Sequence, residues 1–402
     1  MNPTTLAAAL SDTASVTLSE IGLTLLVLGL FAFLAVRMRI SVVPFYLAVG
    51  VALGDGGIAP MNFSEEFLNT GAQLGAILLL LMLGLEHSGP NLVGAFMERK
   101  SIGAIDFALN AVPGAIIGLL LGWGFVGAVV LGGITYVSSS GISSQMMKET
   151  GWQRSELSRR VTTVLIVEDL TLAPYLPLVS SLIAGLGALT GSLSVGLALG
   201  MTGVALLLSF RGAGALSRII NTQAQGALLL SVFGAALVAG GFAESVGFSS
   251  AIAAFLVGLV LTGEVATAVR ARLSPVRDLF AAIFFVFFGL SVDPMDMVAA
   301  LPLGLLLAAL GIAGKLLVGR NIAGNMSDSR AWIRAGAFLT PRGEFSILIA
   351  GLAADTLFGG QLQALTVTYV FITALAASVI LRVFRSDLDK PVSRRGARTS
   401  PQ

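Results

Sequence analysis

Apolar residues along this chain gather into thirteen runs of helix length, separated by brief polar connections. The runs lie at about 18–36, 41–54, 68–85, 102–122, 125–147, 160–184, 188–210, 226–243, 248–263, 275–292, 297–319, 329–354 and 362–384. A helix needs about 20 apolar residues to cross a hydrocarbon core about 30 Å thick. The pattern therefore predicts an all-α membrane protein of about 13 transmembrane helices, one unit over 1–402. The second run is short, and is expected to extend to Asp55 or to draw on its flanks. No connection is long enough to fold as a soluble domain.

The polar positions carry a second pattern. Arg37 and Arg39 follow the first run, and Arg99 and Lys100 the third. Lys148, Arg154, Arg159 and Arg160 follow the fifth; Arg211 and Arg218 the seventh; Arg270, Arg272 and Arg277 the ninth. Arg320, Arg330 and Arg334 follow the eleventh, and the rest cluster between Arg382 and Arg398. Every one of these lies after an odd-numbered run. Lys and Arg accumulate on the cytoplasmic side, so the N-terminus is expected outside and the C-terminus inside. A missed span would scatter the charges onto both faces, so the alternation also checks the count. Of 24 basic residues only Lys315 and Arg342 are left over from this alternation, both within runs. The even-numbered connections hold acids instead, among them Asp55, Glu65, Glu66, Glu244, Asp293, Asp296 and Asp355.

Composition agrees with this picture and narrows the chemistry. The chain is 55% hydrophobic and 11% charged, against about 25% charged in soluble proteins. With no cysteine, disulfides, thiolate metal sites and cysteine catalysis are excluded. The first seventeen residues lack a basic segment followed by a long apolar core, and read as a polar tail, not a cleaved signal. The runs hold no HExxH, no GxSxG and no nucleophile–base pairing, so an enzyme is not expected. No Walker-type ATP motif is present. Nothing points to a nucleic-acid partner; the basic residues face membrane lipid.

The runs also repeat. LAVGVALGDG in the second matches FLVGLVLTGE in the ninth, aligning Gly50 with Gly258. LLMLGLEHS in the third matches FVFFGLSVD in the tenth, aligning Gly84 with Gly289. TYVSSSG in the fifth matches AFLTPRG in the twelfth, aligning Gly141 with Gly343. Each pair is seven runs apart, an odd number, so the second copy enters the membrane from the opposite side. Inverted repeats of this kind mark secondary transporters, whose sites lie where two corresponding helices break near the midplane. The breaks are expected at Ser138-Ser139-Ser140-Gly141 and Thr340-Pro341-Arg342-Gly343, which combine hydroxyls with residues that leave a helix readily.

Between the breaks falls VTTVLIVEDLTLAPYLPL (161–178), an apolar run holding Glu168 and Asp169 side by side. Asp169 lies about 14 Å into its run at 1.5 Å per residue, near mid-membrane, and Thr340 lies at a similar depth. A bare carboxylate there is costly; it either holds a proton or binds a cation. If each excludes the other, and the group meets the two sides alternately, the result is cation/proton antiport. Adjacent helical residues point about 100° apart, so Glu168 and Asp169 cannot share one cavity equally. Lys315 either snorkels to the inner interface or pairs with Glu168. Arg342 either neutralises Glu344 or faces an inner funnel. His87, beside Glu86, reads as a solvated interface residue.

At these motifs the chain resembles the membrane domain of bacterial cation:proton antiporters of the Kef/Kht type, in the second monovalent cation:proton antiporter superfamily. The resemblance rests on PFYLAVGVALG (44–54), LLLLMLGLE (78–86), TYVSSSG (135–141), LIVEDLTLAPYLPL (165–178), SSAIAAFLVGLVLTGE (249–264), FFVFFGLSVD (284–293), GKLLVGR (314–320) and LTPRGEFSILIAG (339–351). It implies two crossed broken helices in a core domain, placed around runs three to six and ten to thirteen. That core moves against a dimerisation domain made from the remaining runs, within a homodimer. By motif it places the ion- and proton-carrying acid at Asp169, where the monovalent cation is held, the membrane lysine at Lys315 and the first crossover at Ser138, Ser139 and Ser140. Thr340, Arg342 and Glu344 support the second crossover. Glu168 departs from the Gln, Asn or Asp common in relatives, at a position tied to ion choice and stoichiometry, and so leaves both open.

The expected activity is exchange of K⁺ for H⁺ across a bacterial inner membrane, with no cofactor beyond the transported ions. Na⁺/H⁺ exchange, a gated K⁺ efflux channel and an organic-anion symporter are the alternatives; the acidic midplane disfavours the last. The tail at 386–402 is basic, expected to be cytosolic, and too short to fold. The Kht-type resemblance therefore implies a separate cytosolic regulatory subunit, docked on the inner face.

Overall fold

The computed structural model describes residues 22–35, 42–54, 56–60, 65–86, 89–152, 154–184, 225–245, 249–261 and 263–384, with isolated positions between them. Most of the seventh run, the 386–402 tail, the first seventeen residues, Asp55 and His87 lie outside the described residues. All regular structure among the described residues is helical. In chain order the helices are α1 (Gly22–Ala35), α2 (Val42–Leu53), α3 (Glu65–Glu86), α4 (Gly89–Leu120), α5 (Gly124–Tyr136), α6 (Ser140–Glu149), α7 (Glu156–Ile183), α8 (Gln225–Ser245), α9 (Ser250–Val260), α10 (Gly263–Leu290), α11 (Pro294–Ala323), α12 (Ala331–Leu339), α13 (Glu344–Leu352) and α14 (Gly359–Val383). Among the described residues, seven spans are long and apolar enough to cross a bilayer, and this is a multi-pass membrane protein.

Apart from the seventh, every apolar run falls on a helix or on a broken pair. The largest boundary differences are at α4, which begins at Gly89, thirteen residues before the expected 102, and at α10, which begins at Gly263, twelve residues before the expected 275. Arg270, Arg272 and Arg277 therefore sit on a helix, not in a loop. Charge alone had marked that stretch as a connection, but charged residues extend a helix readily into the interface. Pro275 is tolerated inside it. The short second run does not lengthen: α2 stops at Leu53, and the chain turns back through the bond from the Ala59 amide to the Ala52 carbonyl, 3.0 Å.

The helices pack as two groups. In one, α3 runs against α9 and α10, α2 lies on α10, and α8 lies on α9. In the other, α4 packs on α5, α7 and α11, while α11 also carries α12 and α14. Leu28 of α1 joins the first group, against Val49 and Val286.

Glycines set how closely the first group packs. A Cβ built on Gly50 would lie 2.8 Å from the Gly289 Cα, and one on Gly84 would lie 2.9 Å from the Gly258 Cα. These are four of the six glycines aligned by the repeat. Exchanging Gly50 with Gly258 and Gly84 with Gly289 turns one contact into the other, so the repeat seen in sequence is a repeat of packing. Small residues at such crossings let helix backbones touch, which is how helices associate in lipid. Gly84→Ala should therefore lower the melting temperature of the detergent-purified protein, at a cost of about 1–3 kcal/mol for overpacking. Gly29→Ala, with nothing within 4 Å, should leave it unchanged.

Candidate functional site

Two helix breaks meet beside α7. The first lies between α5 and α6, where Val137 is extended (φ −79°, ψ 124°). Ser139 then caps α6, its hydroxyl accepting from the Ile142 amide at 3.2 Å. The second lies between Leu339 and Glu344. The breaks cross in contact: the Ser139 amide donates to the Pro341 carbonyl at 2.8 Å. The Ser138 hydroxyl donates to the Leu339 carbonyl at 2.7 Å, and the Ser143 hydroxyl to the Phe338 carbonyl at 2.5 Å. Gly343 makes the approach possible, since a Cβ there would lie 2.7 Å from the Ser139 Oγ. Serines thus satisfy the backbone groups that the breaks expose, as buried polar groups require.

Glu168 and Asp169 diverge. Glu168 is fully buried and turns into the crossover. Its Oε2 accepts from the Ser138 amide at 2.5 Å, and its Oε1 from the Ser138 hydroxyl at 3.1 Å. Asp169 turns the other way, to the wall of a cavity of about 610 Å³ shared with Ser140, Gly141, Glu344, Glu86 and Arg270. From Asp169 the cavity follows α7 past Ile166 and Leu165 to Thr162, about 10 Å along the helix. Glu344 reaches the same cavity and accepts from the Ser139 hydroxyl at 2.8 Å, beside the positive N-terminus of α13.

Lys315 does not snorkel. It is fully buried, with its ammonium 3.1 Å from Glu168 Oε1 and 2.7 Å from Asp106 Oδ1. Asp106, on α4, is a functional candidate that the sequence reading passed over. A signal was present: an acid inside an otherwise apolar run is costly wherever it stands. Asn110, one turn on, donates to Asp106 Oδ1 at 2.9 Å.

Arg342 takes neither of the two expected roles. It is fully buried and does not face the cavity, and its guanidinium turns to backbone carbonyls, not to Glu344. It donates to the Thr135 carbonyl from Nε at 3.1 Å and from Nη2 at 2.7 Å. Nη1 donates to the Leu339 and Thr340 carbonyls at 3.0 and 2.9 Å. Thr135 lies in the last turn of α5 and Leu339 ends α12. One cation therefore serves two negative helix C-termini. Thr340 uses its hydroxyl on the Gly336 carbonyl and offers no oxygen from that side chain to the cavity. Arg342→Lys keeps the charge but not the planar fork. It should lose about 2 kcal/mol or more, a typical loss for bonds to a charged group, read as a lower melting temperature in detergent.

This arrangement places acids and serine oxygens at crossed helix breaks inside a membrane protein, as ion exchangers require. The family model described as "Sodium/hydrogen exchanger, transmembrane" matches residues 22–385. The chain belongs to this family. As a member it is a cation:proton antiporter, and the relatives extend the resemblance read from the motifs. The K(+)/H(+) antiporter subunit KhtU of Bacillus subtilis is 28% identical over 378 residues, covering 90% of this chain and 92% of that one. The ammonium/H(+) antiporter subunit AmhT of Alkalihalophilus pseudofirmus is 28% identical over 389 residues, 94% and 96%. The glutathione-regulated potassium-efflux protein KefC of Klebsiella pneumoniae is 29% identical over 380 residues, 90% of this exchanger but 59% of KefC. In three dimensions the exchanger is similar to the sodium proton antiporter MjNhaP1 of Methanocaldococcus jannaschii. The TM-score is 0.68 at 18% identity, covering 94% and 98% of the two chains, and this likeness speaks to the fold.

Proposed function

We propose that the protein exchanges K⁺ for H⁺ by alternating access, with Asp169 binding cation and proton in turn. The observation that carries this reading is the position of Asp169, on a cavity wall where two broken helices cross, with its neighbour Glu168 turned inward. Ser140 and Glu344 line the same cavity and offer further oxygen ligands. K⁺ is favoured because KhtU and KefC are named for it. AmhT is named for ammonium, an ion of similar size, and supports a second reading in which NH₄⁺ is also carried.

The moving parts are proposed as the α4–α7 and α11–α14 group against the group of α2, α3 and α8–α10. The split follows the packing, with α3 and α10 on the second body. A homodimer in a bacterial inner membrane, with outside N-terminus and cytoplasmic C-terminus, completes the proposal. KhtU and AmhT are each named as subunits, which supports a separately encoded regulatory partner. The test is exchange in proteoliposomes, with an internal pH dye and K⁺, Na⁺, NH₄⁺ or Rb⁺ added outside. Proton efflux driven uphill by a K⁺ gradient is expected. Cation flux without coupled proton movement would mean a channel, and coupling to Na⁺ alone would remove K⁺ as substrate.

A further inference from the structure

Lys315 is shared. Three fully buried groups meet on three helices: Asp106 on α4, Glu168 on α7 and Lys315 on α11. The trio holds two carboxylates for one ammonium. The shorter of the two ion pairs goes to Asp106, so Glu168 receives only part of the lysine's charge. The other groups at this point are the Tyr136 ring of α5, 5.6 Å from the ammonium, and Arg342, whose Nη2 stands 3.5 Å from Asn110 Oδ1. The Arg342 charge is directed at backbone carbonyls of the breaks, so it does not neutralise Glu168. Asp169 follows Glu168 directly in sequence.

We propose that Asp106 is a positioning residue for cation binding. It draws the Lys315 ammonium toward α4, leaving Glu168 under-neutralised, and the remaining negative field strengthens cation binding at Asp169. Asp106 touches neither the cavity nor the ion; it acts through Lys315. The inference rests on the exchange reading of Asp169 and adds a determinant of affinity to it. Without Asp106, Lys315 settles wholly on Glu168, the trio becomes one neutral pair, and the site loses the influence of about one unit charge.

Binding is read from the K⁺-dependent rise in melting temperature of detergent-purified protein, since a ligand that binds only the folded state stabilises it in proportion to its affinity. Exchange in proteoliposomes gives KM and kcat. Asp106→Asn should weaken K⁺ binding by about tenfold, the scale of one unit charge acting across a medium of intermediate polarity. KM should rise and kcat change far less. Asp106→Glu, which keeps the charge, should stay within about twofold of the parent. The double change Asp106→Asn with Lys315→Gln removes both charges and leaves Glu168 negative, so it should recover most of the lost affinity. In that variant Glu168 keeps its two hydrogen bonds from Ser138. Glu168→Gln, which leaves Asp106 and Lys315 as one neutral pair, should weaken K⁺ binding as Asp106→Asn does, and tests the idea even if Asp106→Asn alone does not fold. Unchanged K⁺ affinity in Asp106→Asn, or a double change as weak as the single one, overturns the proposal. A parent protein whose melting temperature responds to none of K⁺, Na⁺ and NH₄⁺ overturns the exchange reading instead.

Discussion

Asp169→Asn is expected to leave a folded protein that no longer couples cations to protons. The amide is almost the same size as the carboxylate, and the side chain stands on a cavity wall, so the packing around it is kept. What is lost is the group's ability to carry a proton in one state and a negative charge in the other. Uptake into proteoliposomes should fall to the level of empty vesicles for every cation tried, while the melting temperature stays near the parent's or rises. Replacing a buried carboxylate with a neutral amide removes a charge that the interior solvates poorly. Residual K⁺-driven proton movement in this variant would show that another acid carries the exchange, and Glu344, on the same cavity, would be the next to test.

The second large effect is on stability. Lys315→Ala removes the only ammonium between two fully buried carboxylates. Breaking a buried pair typically costs about 3–5 kcal/mol, because the remaining charge has no partner. Here two are left. Neutralising them as well, in Lys315→Ala with Glu168→Gln and Asp106→Asn, should restore most of the lost stability. A double-mutant cycle on Lys315 and Glu168 alone should recover only part, because Asp106 stays orphaned. Melting temperatures that fall additively with each substitution would count against the trio acting as a unit.

The fold was legible because lipid imposes a strict rule on sequence. Each span must be apolar and helical, so runs such as 226–243 and 362–384 announce themselves. Boundaries were less legible where charge and helix coexist. The stretch from Gly263 to Pro275 carries two arginines, Arg270 and Arg272, and reads as a loop, yet nothing prevents it from being helical at an interface. The breaks at Ser138 and Thr340 were readable because Ser, Pro and Gly cluster there inside apolar runs, and because the two clusters align by repeat. Asp106 was missed for the opposite reason. It stands alone, with no adjacent acid or helix breaker, and its meaning depends on Lys315, which lies 209 residues away. Arg342 was placed wrongly because sequence neighbours suggest charge partners. Its actual partners are carbonyls freed by helix breaks, and backbone acceptors leave no mark in side-chain chemistry.

The backbone bond between the two breaks has a direction, and proline sets it. The Ser139 amide donates to the Pro341 carbonyl, but Pro341 has no N–H to return the bond, although the repeat makes the two positions equivalent. A reciprocal pair would fix the two segments like neighbouring strands in a sheet. A single main-chain bond acts as a pin: it keeps the segments from separating and leaves them free to swivel about it. The other ties across the crossing come from side chains: the Ser138, Ser139 and Ser143 hydroxyls, the Ser346 hydroxyl on the Ile134 carbonyl and the Arg342 guanidinium on the Thr135 carbonyl. The two half-helix pairs thus share one main-chain bond, and every other tie between them runs through a side chain that has rotamer freedom of its own.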